Sequence, residues 1–180
     1  GRENELEAYR NVLAQFPSGL LACVSDSYDI FKAVNSLWGD KLKSIVLERD
    51  GVLIIRPDSG DPEDILPILL ETLGERFGYS KNSKGYKVLN DKVRLIQGDG
   101  VNLHSIGRIL EIMTAKGWST ENIAFGMGGG LLQQLNRDTQ KFAMKNSAVK
   151  VDGQWRDVYK DPVTDQGKRS QKGILDLQNG

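Results

Sequence analysis

The sequence predicts an α/β fold: four βα units in series, amounting to half of a β/α barrel, followed by a small β-hairpin region. Three observations carry this reading. Short apolar runs recur without the strict alternation of a half-exposed strand, which fits parallel strands buried on both faces or the wall of a barrel. Each run leads through a polar or glycine-rich turn into apolar residues at helical spacing, the order that right-handed crossovers between parallel strands require. Beyond residue 141 the helical rhythm stops, and short strands punctuated by turns replace it.

Taken in order, Leu6, Tyr9, Val12, Leu13 and Phe16 recur at helical spacing among charged residues, so residues 3–16 read as an amphipathic helix stopped by Pro17-Ser18-Gly19. The run Leu20-Leu21-Ala22-Cys23-Val24 is the first strand, and residues 28–38 return to helical spacing through Ile30, Val34 and Leu37. The second unit pairs the strand Val52-Leu53-Ile54-Ile55 with a helix opened by Pro62 and continued through Ile65, Leu66, Leu69, Leu70 and Leu73. The third pairs Val93-Arg94-Leu95-Ile96 with a helix through Leu103, Ile106, Ile109, Leu110 and Met113 that stops at Gly117. The fourth runs from Asn122-Ile123-Ala124-Phe125 through Gly126-Met127-Gly128-Gly129-Gly130 into a helix over residues 131–141. Residues 147–151 and 154–159 flank Asp152-Gly153 as a hairpin, residues 161–172 form a polar, basic loop, and residues 173–177 make a last strand. The division expected is residues 1–145 for the βα units and residues 146–180 for the hairpin and basic loop, both parts of one protein.

At 180 residues and 39% hydrophobic content the chain can bury one sizeable core. Lys plus Arg and Asp plus Glu stand at 24 each, so no net charge draws the molecule to nucleic acid or to an anionic membrane, and any basic site is local. The lone Cys23, within an apolar run, reads as a buried, inert thiol of a reducing compartment. No stretch reaches the roughly 20 apolar residues of a bilayer span, and the charged start lacks the apolar segment of a signal peptide, so a cytoplasmic location is expected. The chain opens without Met, inside a predicted helix, as expected of a piece of a longer protein.

Three of the four predicted strands are followed by an aspartate at the same relative place: Asp26, Asp58 and Asp99. Ligands of α/β proteins bind beyond the carboxyl ends of the strands, where the connecting loops converge. Converging carboxylates suit ribose hydroxyls, which donate hydrogen bonds, or a magnesium ion, which takes oxygen ligands. The competing reading is that each aspartate caps the helix after it. For one aspartate capping is favoured; three in register, flanked by Ser and Gly, favour a site. The fourth loop, Gly126 to Gly130, offers backbone N–H groups just before a helix N-terminus, a cradle for phosphate, although a glycine-rich turn also serves tight packing. Arg137, Lys145, Lys160, Lys168-Arg169 and Lys172 supply cations nearby in sequence. His104 reads as a surface residue, and Trp38, Trp118 and Trp155 as packing aromatics.

These blocks carry a resemblance. Val24-Ser25-Asp26-Ser27-Tyr28-Asp29, Leu53 to Gly60 with Arg56-Pro57-Asp58-Ser59, Asn82-Ser83-Lys84-Gly85-Tyr86-Lys87, Ile96-Gln97-Gly98-Asp99-Gly100-Val101, Ile123 to Gln133 with its glycine loop, and Lys160-Asp161-Pro162-Val163 resemble the nicotinamide phosphoribosyltransferase family in order and spacing, over nearly the whole chain. The resemblance implies a type II phosphoribosyltransferase barrel and transfer of a phosphoribosyl group from phosphoribosyl pyrophosphate to the ring nitrogen of nicotinamide. The products are nicotinamide mononucleotide and pyrophosphate, in NAD biosynthesis.

The resemblance assigns roles as well. Asp26 and Asp58 belong to the catalytic centre. Arg56, Asp58, Gly98 and Asp99 hold the ribose and its 5'-phosphate region, and Gly128 and Gly129 supply backbone donors to a phosphate. Arg137, Lys145 and Lys160 meet the phosphates and pyrophosphate, partly across a homodimer. Mg2+ assists departure of the pyrophosphate, with no metal ligand assigned in this chain, and ATP is a coupled substrate of the full-length enzyme. Ala22 stands where the family often has Ser near the ring site. The family's phosphate-accepting histidine and ring-sandwiching aromatics lie upstream of this chain, so the isolated chain is expected to be inactive. Nicotinate phosphoribosyltransferase and a non-catalytic phosphosugar-binding fragment are the alternative readings.

Overall fold

The computed structural model describes residues 1–128 and 143–176. Its strands are β1 (Ser18–Val24), β2 (Asp50–Arg56), β3 (Tyr79–Lys81), β4 (Lys87–Leu89), β5 (Val93–Gln97), β6 (Ile123–Phe125), β7 (Ala148–Val151) and β8 (Gln154–Asp157), and its α-helices are α1 (Glu5–Gln15), α2 (Ile30–Lys32), α3 (Lys43–Glu48), α4 (Pro62–Phe77) and α5 (Leu103–Ala115). A parallel sheet runs in the order β1-β2-β5-β6, with Cys23 opposite Ile55, Leu53 opposite Val93 and Leu95 opposite Ile123. Each of its strands therefore points the same way, and the loops that follow β1, β2, β5 and β6 all leave from one end.

Side chains alternate across a strand, so the sheet has two different faces. Leu21, Leu53, Ile55, Val93 and Leu95 are buried on one of them, against a helical layer that includes Tyr9, Trp38, Leu66, Leu69, Leu70 and Met113. On the other, Leu20 and Val24 of β1 are exposed. Helix α4 shows why the helices fall where they do. Asp61 caps it by accepting from the Glu63 N–H at 2.9 Å, Pro62 occupies the first turn, and Gly78 at φ 86 ends it.

Several expectations change. The helix expected over residues 28–38 begins only at Ile30, because Asp29 is extended and caps the turn through the Lys32 N–H at 3.0 Å. It then widens into a π-helical stretch, Ala33–Lys41, which seats Trp38 in the core and is followed by α3. The antiparallel pair β3 and β4 is inserted between the second and third units, between α4 and β5, where polar residues around Gly85 had given no strand signal. No strand forms over residues 173–176: Gly173 takes φ 97, and its N–H donates to the Ser147 carbonyl at 2.9 Å, tying the segment to the start of the β7–β8 pair. Trp38 and Trp118 are fully buried, but Trp155 is exposed on β8 beside Lys150, because nothing among the described residues covers this face of the two-stranded sheet. The helix expected over residues 131–141 lies outside the described residues.

Candidate functional site

Asp26, Asp58 and Asp99 each stand two residues beyond the last residue of a parallel strand: β1, β2 and β5. Neither they nor their neighbours cap a helix. The caps are Asp29, Asp61 and Asn102, each three residues further on, so the capping role and the rim carboxylate are separate residues in all three loops. The rim aspartates are thereby left to each other and to cations.

Asp26 is the hub of the sealed end, its side chain only 1% exposed. Its Oδ2 accepts from the Asp58 N–H at 2.9 Å and from the Ser59 hydroxyl, while its Oδ1 has no hydrogen bond among the described residues and faces the Lys160 ammonium at 3.4 Å. Asp58 is shared between two cations, with Arg56 Nη2 at 3.3 Å and Lys160 Nζ at 3.6 Å. Asp99 pairs with Lys168 Nζ, which also donates to the Asp58 carbonyl. Gln97 Nε2 steadies the same loop by donating to the Asp99 carbonyl at 2.7 Å. Three carboxylates and three cations thus interleave along the rim.

Gly98 lies against the Arg56 guanidinium: a Cβ there would sit 3.5 Å from Nη2, in ordinary contact, so the glycine leaves the plane of the guanidinium uncrowded. Arg56 Nε is buried and has no hydrogen-bond partner among the described residues. The Gly126 N–H donates to the Gln97 carbonyl at 2.9 Å, which continues the β5–β6 pairing by one residue and brings the start of the glycine loop alongside Gly98.

A segment far along the chain supplies the lysines. Asp161 N–H donates to the Ser27 carbonyl at 2.9 Å and Val163 N–H to the Tyr28 carbonyl at 2.8 Å, laying residues 158–170 over the ends of β1 and β2. Thr164 meets the Ser59 hydroxyl, Tyr159 packs edge-on against Tyr28 at 5.9 Å, and Lys160 and Ser170 exchange hydrogen bonds. This strap fixes Lys160 and Lys168 against the aspartates.

Of the residues expected at the site, Asp26, Arg56, Asp58, Gly98, Asp99 and Lys160 come together. Gly128, three residues past β6, is exposed at the same end of the sheet. Lys145 is exposed and pairs with no rim aspartate among the described residues; Gly129 and Arg137 lie outside those residues. Ser59 and Thr164 were not expected, and Lys168 was only one of several candidate cations. Lys168 stood in a loop with Arg169 and Lys172, and nothing in the sequence separates the three. His104 is exposed on the first turn of α5. Cys23, three residues before Asp26, is half-buried, and burial pushes its thiol up to about 11.

Among the described residues no three His, Cys, Asp or Glu side chains gather closely enough to hold a metal ion. Each rim carboxylate is already matched by an ammonium or guanidinium, so the rim does not fit a protein-held magnesium. Carboxylates accept from hydroxyls and the cations between them attract phosphate, which suits a polyhydroxylated, anionic ligand.

The model of the nicotinate phosphoribosyltransferase (NAPRTase) family matches residues 1–179. The chain is 56% identical over 179 residues to a nicotinamide phosphoribosyltransferase from Xanthomonas campestris, covering 98% of this chain and 38% of that protein. It is 39% identical to one from Mycoplasma pneumoniae, over 99% of this chain and 42% of that protein, and 36% identical to one from Acinetobacter baylyi, over 98% and 39%. The chain therefore spans about two fifths of the length of these curated relatives.

Proposed function

The chain belongs to the nicotinate phosphoribosyltransferase (NAPRTase) family, and on that footing we propose that it is the C-terminal portion of a nicotinamide phosphoribosyltransferase. The reaction is displacement at the ribose anomeric carbon: its bond to the pyrophosphate oxygen breaks, a bond to the nicotinamide ring nitrogen forms, and pyrophosphate leaves with the electron pair. The observation that carries the reading is the alternation of carboxylates and cations along one rim, at the ends of β1, β2 and β5. The names of the three relatives favour nicotinamide over nicotinate as the base.

In this reading Asp58 and Asp99 accept from ribose hydroxyls, and Arg56 with Gly98 holds the 5'-phosphate region. Gly128 and Gly129 donate backbone N–H groups to phosphate, the use expected of this glycine-rich segment from its sequence. Lys160, with Lys145 and Arg137 across a homodimer, stabilises charge developing on pyrophosphate. Asp26, at the buried end of the catalytic centre, holds the Asp58 N–H, Ser59 and Lys160 in place. Magnesium would enter as the counter-ion of the pyrophosphate and neutralise its developing charge. ATP is a coupled substrate of the full-length protein.

The exposed Leu20 and Val24 on one face of β1 support the further proposal that the four βα units are half of a closed β/α barrel. Residues 1–145 supply those units, and residues 146–180 supply the hairpin and the strap. Balanced charge argues against a nucleic-acid partner, and no helix among the described residues is long and apolar enough to cross a membrane. A cytoplasmic location completes the reading. With about two fifths of the relatives' length, the isolated chain lacks turnover and retains at most weak affinity for phosphorylated ribose. The test is formation of nicotinamide mononucleotide by the full-length protein from nicotinamide and phosphoribosyl pyrophosphate. Turnover of nicotinic acid with none of nicotinamide would move the assignment to the nicotinate enzyme.

A further inference from the structure

We infer that Lys168 is a positioning residue of the ribose site, an inference that rests on the phosphoribosyltransferase reading above. Its ammonium lies between the Asp99 carboxylate and the Asp58 backbone carbonyl, and so joins the two loops whose carboxylates are assigned to the ribose. Among the described residues it is the sole partner of the Asp99 side chain. A carboxylate has about four lone-pair sites. One taken by Lys168 leaves the others for hydroxyls while ending the free rotation of the group.

The strap singles out this lysine from its basic neighbours by register. Asp165 caps the short 3-10 turn Gln166–Lys168 by accepting from the Gly167 N–H at 2.9 Å, and Gln166 Nε2 donates back to the Pro162 carbonyl at 3.1 Å. Arg169 is thereby turned away to Asp161, at 3.7 Å, and Lys172 lies 5.3 Å from the centre of the Tyr159 ring. Only Lys168 reaches the second and third loops.

Charge gives it a second effect. Asp26, Asp58 and Asp99 are balanced by Arg56, Lys160 and Lys168. Without Lys168 the rim carries an uncompensated negative charge at Asp99, where an anionic phosphoribosyl donor must dock. Both side chains are about a third exposed there, so the pair sits at the open end of the rim, within reach of a ligand.

The experiment compares Lys168→Met, Lys168→Arg and Lys172→Met in the full-length protein. Calorimetry with ribose 5-phosphate and with phosphoribosyl pyrophosphate is set beside steady-state kinetics and thermal midpoints. Lys168→Met is expected to weaken both ligands about tenfold or more and to raise KM for phosphoribosyl pyrophosphate in parallel, with kcat within about threefold. Lys168→Arg, which keeps the charge, is expected to recover most of that loss, and Lys172→Met to match the parent. Parent-like affinities in Lys168→Met overturn the inference. So does a loss of kcat at unchanged KM, or a lowered midpoint that accounts for the whole effect. If the parent binds neither ligand and makes no product, the phosphoribosyltransferase reading falls and takes this inference with it. Binding and turnover by the parent, with no change in Lys168→Met, refutes this inference alone.

Discussion

Asp26→Ala removes the carboxylate on which the sealed end of the rim converges. The Asp58 N–H loses its acceptor at 2.9 Å, the Ser59 hydroxyl loses its own, and the Lys160 ammonium loses a partner at 3.4 Å. The Asp26 side chain is 1% exposed and that of Lys160 14%, so water replaces little of this. Stripping one partner from a buried ion pair costs about 3–5 kcal/mol. The surviving contact from Lys160 to Asp58 at 3.6 Å keeps the ammonium partly compensated, which puts the expected loss near the lower bound, about 3 kcal/mol. A local opening equilibrium then shifts by about two orders of magnitude. The assay is hydrogen exchange in the full-length protein, read at the Asp58, Asp161 and Val163 amides, the last two being those that hold the strap to Ser27 and Tyr28. Their exchange should accelerate about a hundredfold while the interior of β5 stays protected. The double variant Asp26→Ala, Lys160→Met should recover part of the loss, since it removes the stranded charge. Acceleration below about threefold, some 0.6 kcal/mol, would refute the view of Asp26 as the hub.

Asp99→Ala should weaken phosphoribosyl pyrophosphate about tenfold or more, some 1.4 kcal/mol, by leaving bound hydroxyls without an acceptor; calorimetry showing parent affinity in a normally folded protein would remove Asp99 from the site. Asn102→Ala should separate the cap from the rim: the Asn102 side chain accepts from the His104 and Ser105 N–H groups, so its loss should cost about 1 kcal/mol of stability and leave donor affinity unchanged, whereas a large loss of affinity would mean that cap and site are not independent. The isolated 180-residue chain, incubated with nicotinamide, phosphoribosyl pyrophosphate, magnesium and ATP, should form no detectable nicotinamide mononucleotide, because positioning of the reactants can supply about 7–11 kcal/mol. Turnover within about a hundredfold of the full-length protein would show that the missing length is dispensable.

Much of this was legible because the relevant signals are local. The apolar runs at Leu20, Val52, Val93 and Ile123 mark the parallel strands, and the aspartates two residues past three of them mark the rim. The choice between cap and site was not legible in any single loop, since Asp26 and Asp29 are equally good caps by residue type. Geometry removes the capping reading for Asp26 by extending the backbone at Asp29, which caps instead, and by turning Asp26 into the sheet end. Lys168 was illegible for a different reason. Its partners lie 110 and 69 residues away, and its selection over Arg169 and Lys172 depends on a short turn whose register carries no periodic signal. The π-helical stretch was hidden too, because a period-3.6 pattern and a wider turn place Val34, Leu37 and Trp38 on nearly the same face.

The separation of cap from rim carboxylate also orders the site. Side-chain exposure rises from 1% at Asp26 through 25% at Asp58 to 29% at Asp99, following β1, β2 and β5 across the sheet. The strap produces this gradient, because its backbone pairs with Ser27 and Tyr28 after β1 and only the Lys168 side chain extends as far as Asp99. The weakly screened charges therefore lie under the strap, where their coupling is strongest, and the better hydrated ones lie towards β6 and the start of the glycine loop. On the proposed reading, a phosphoribosyl donor meets Lys168 and the exposed Gly128 first and Lys160 last. Salt should accordingly weaken the initial encounter more than it weakens the Lys160–Asp26 pair, which holds the inner end of the rim together.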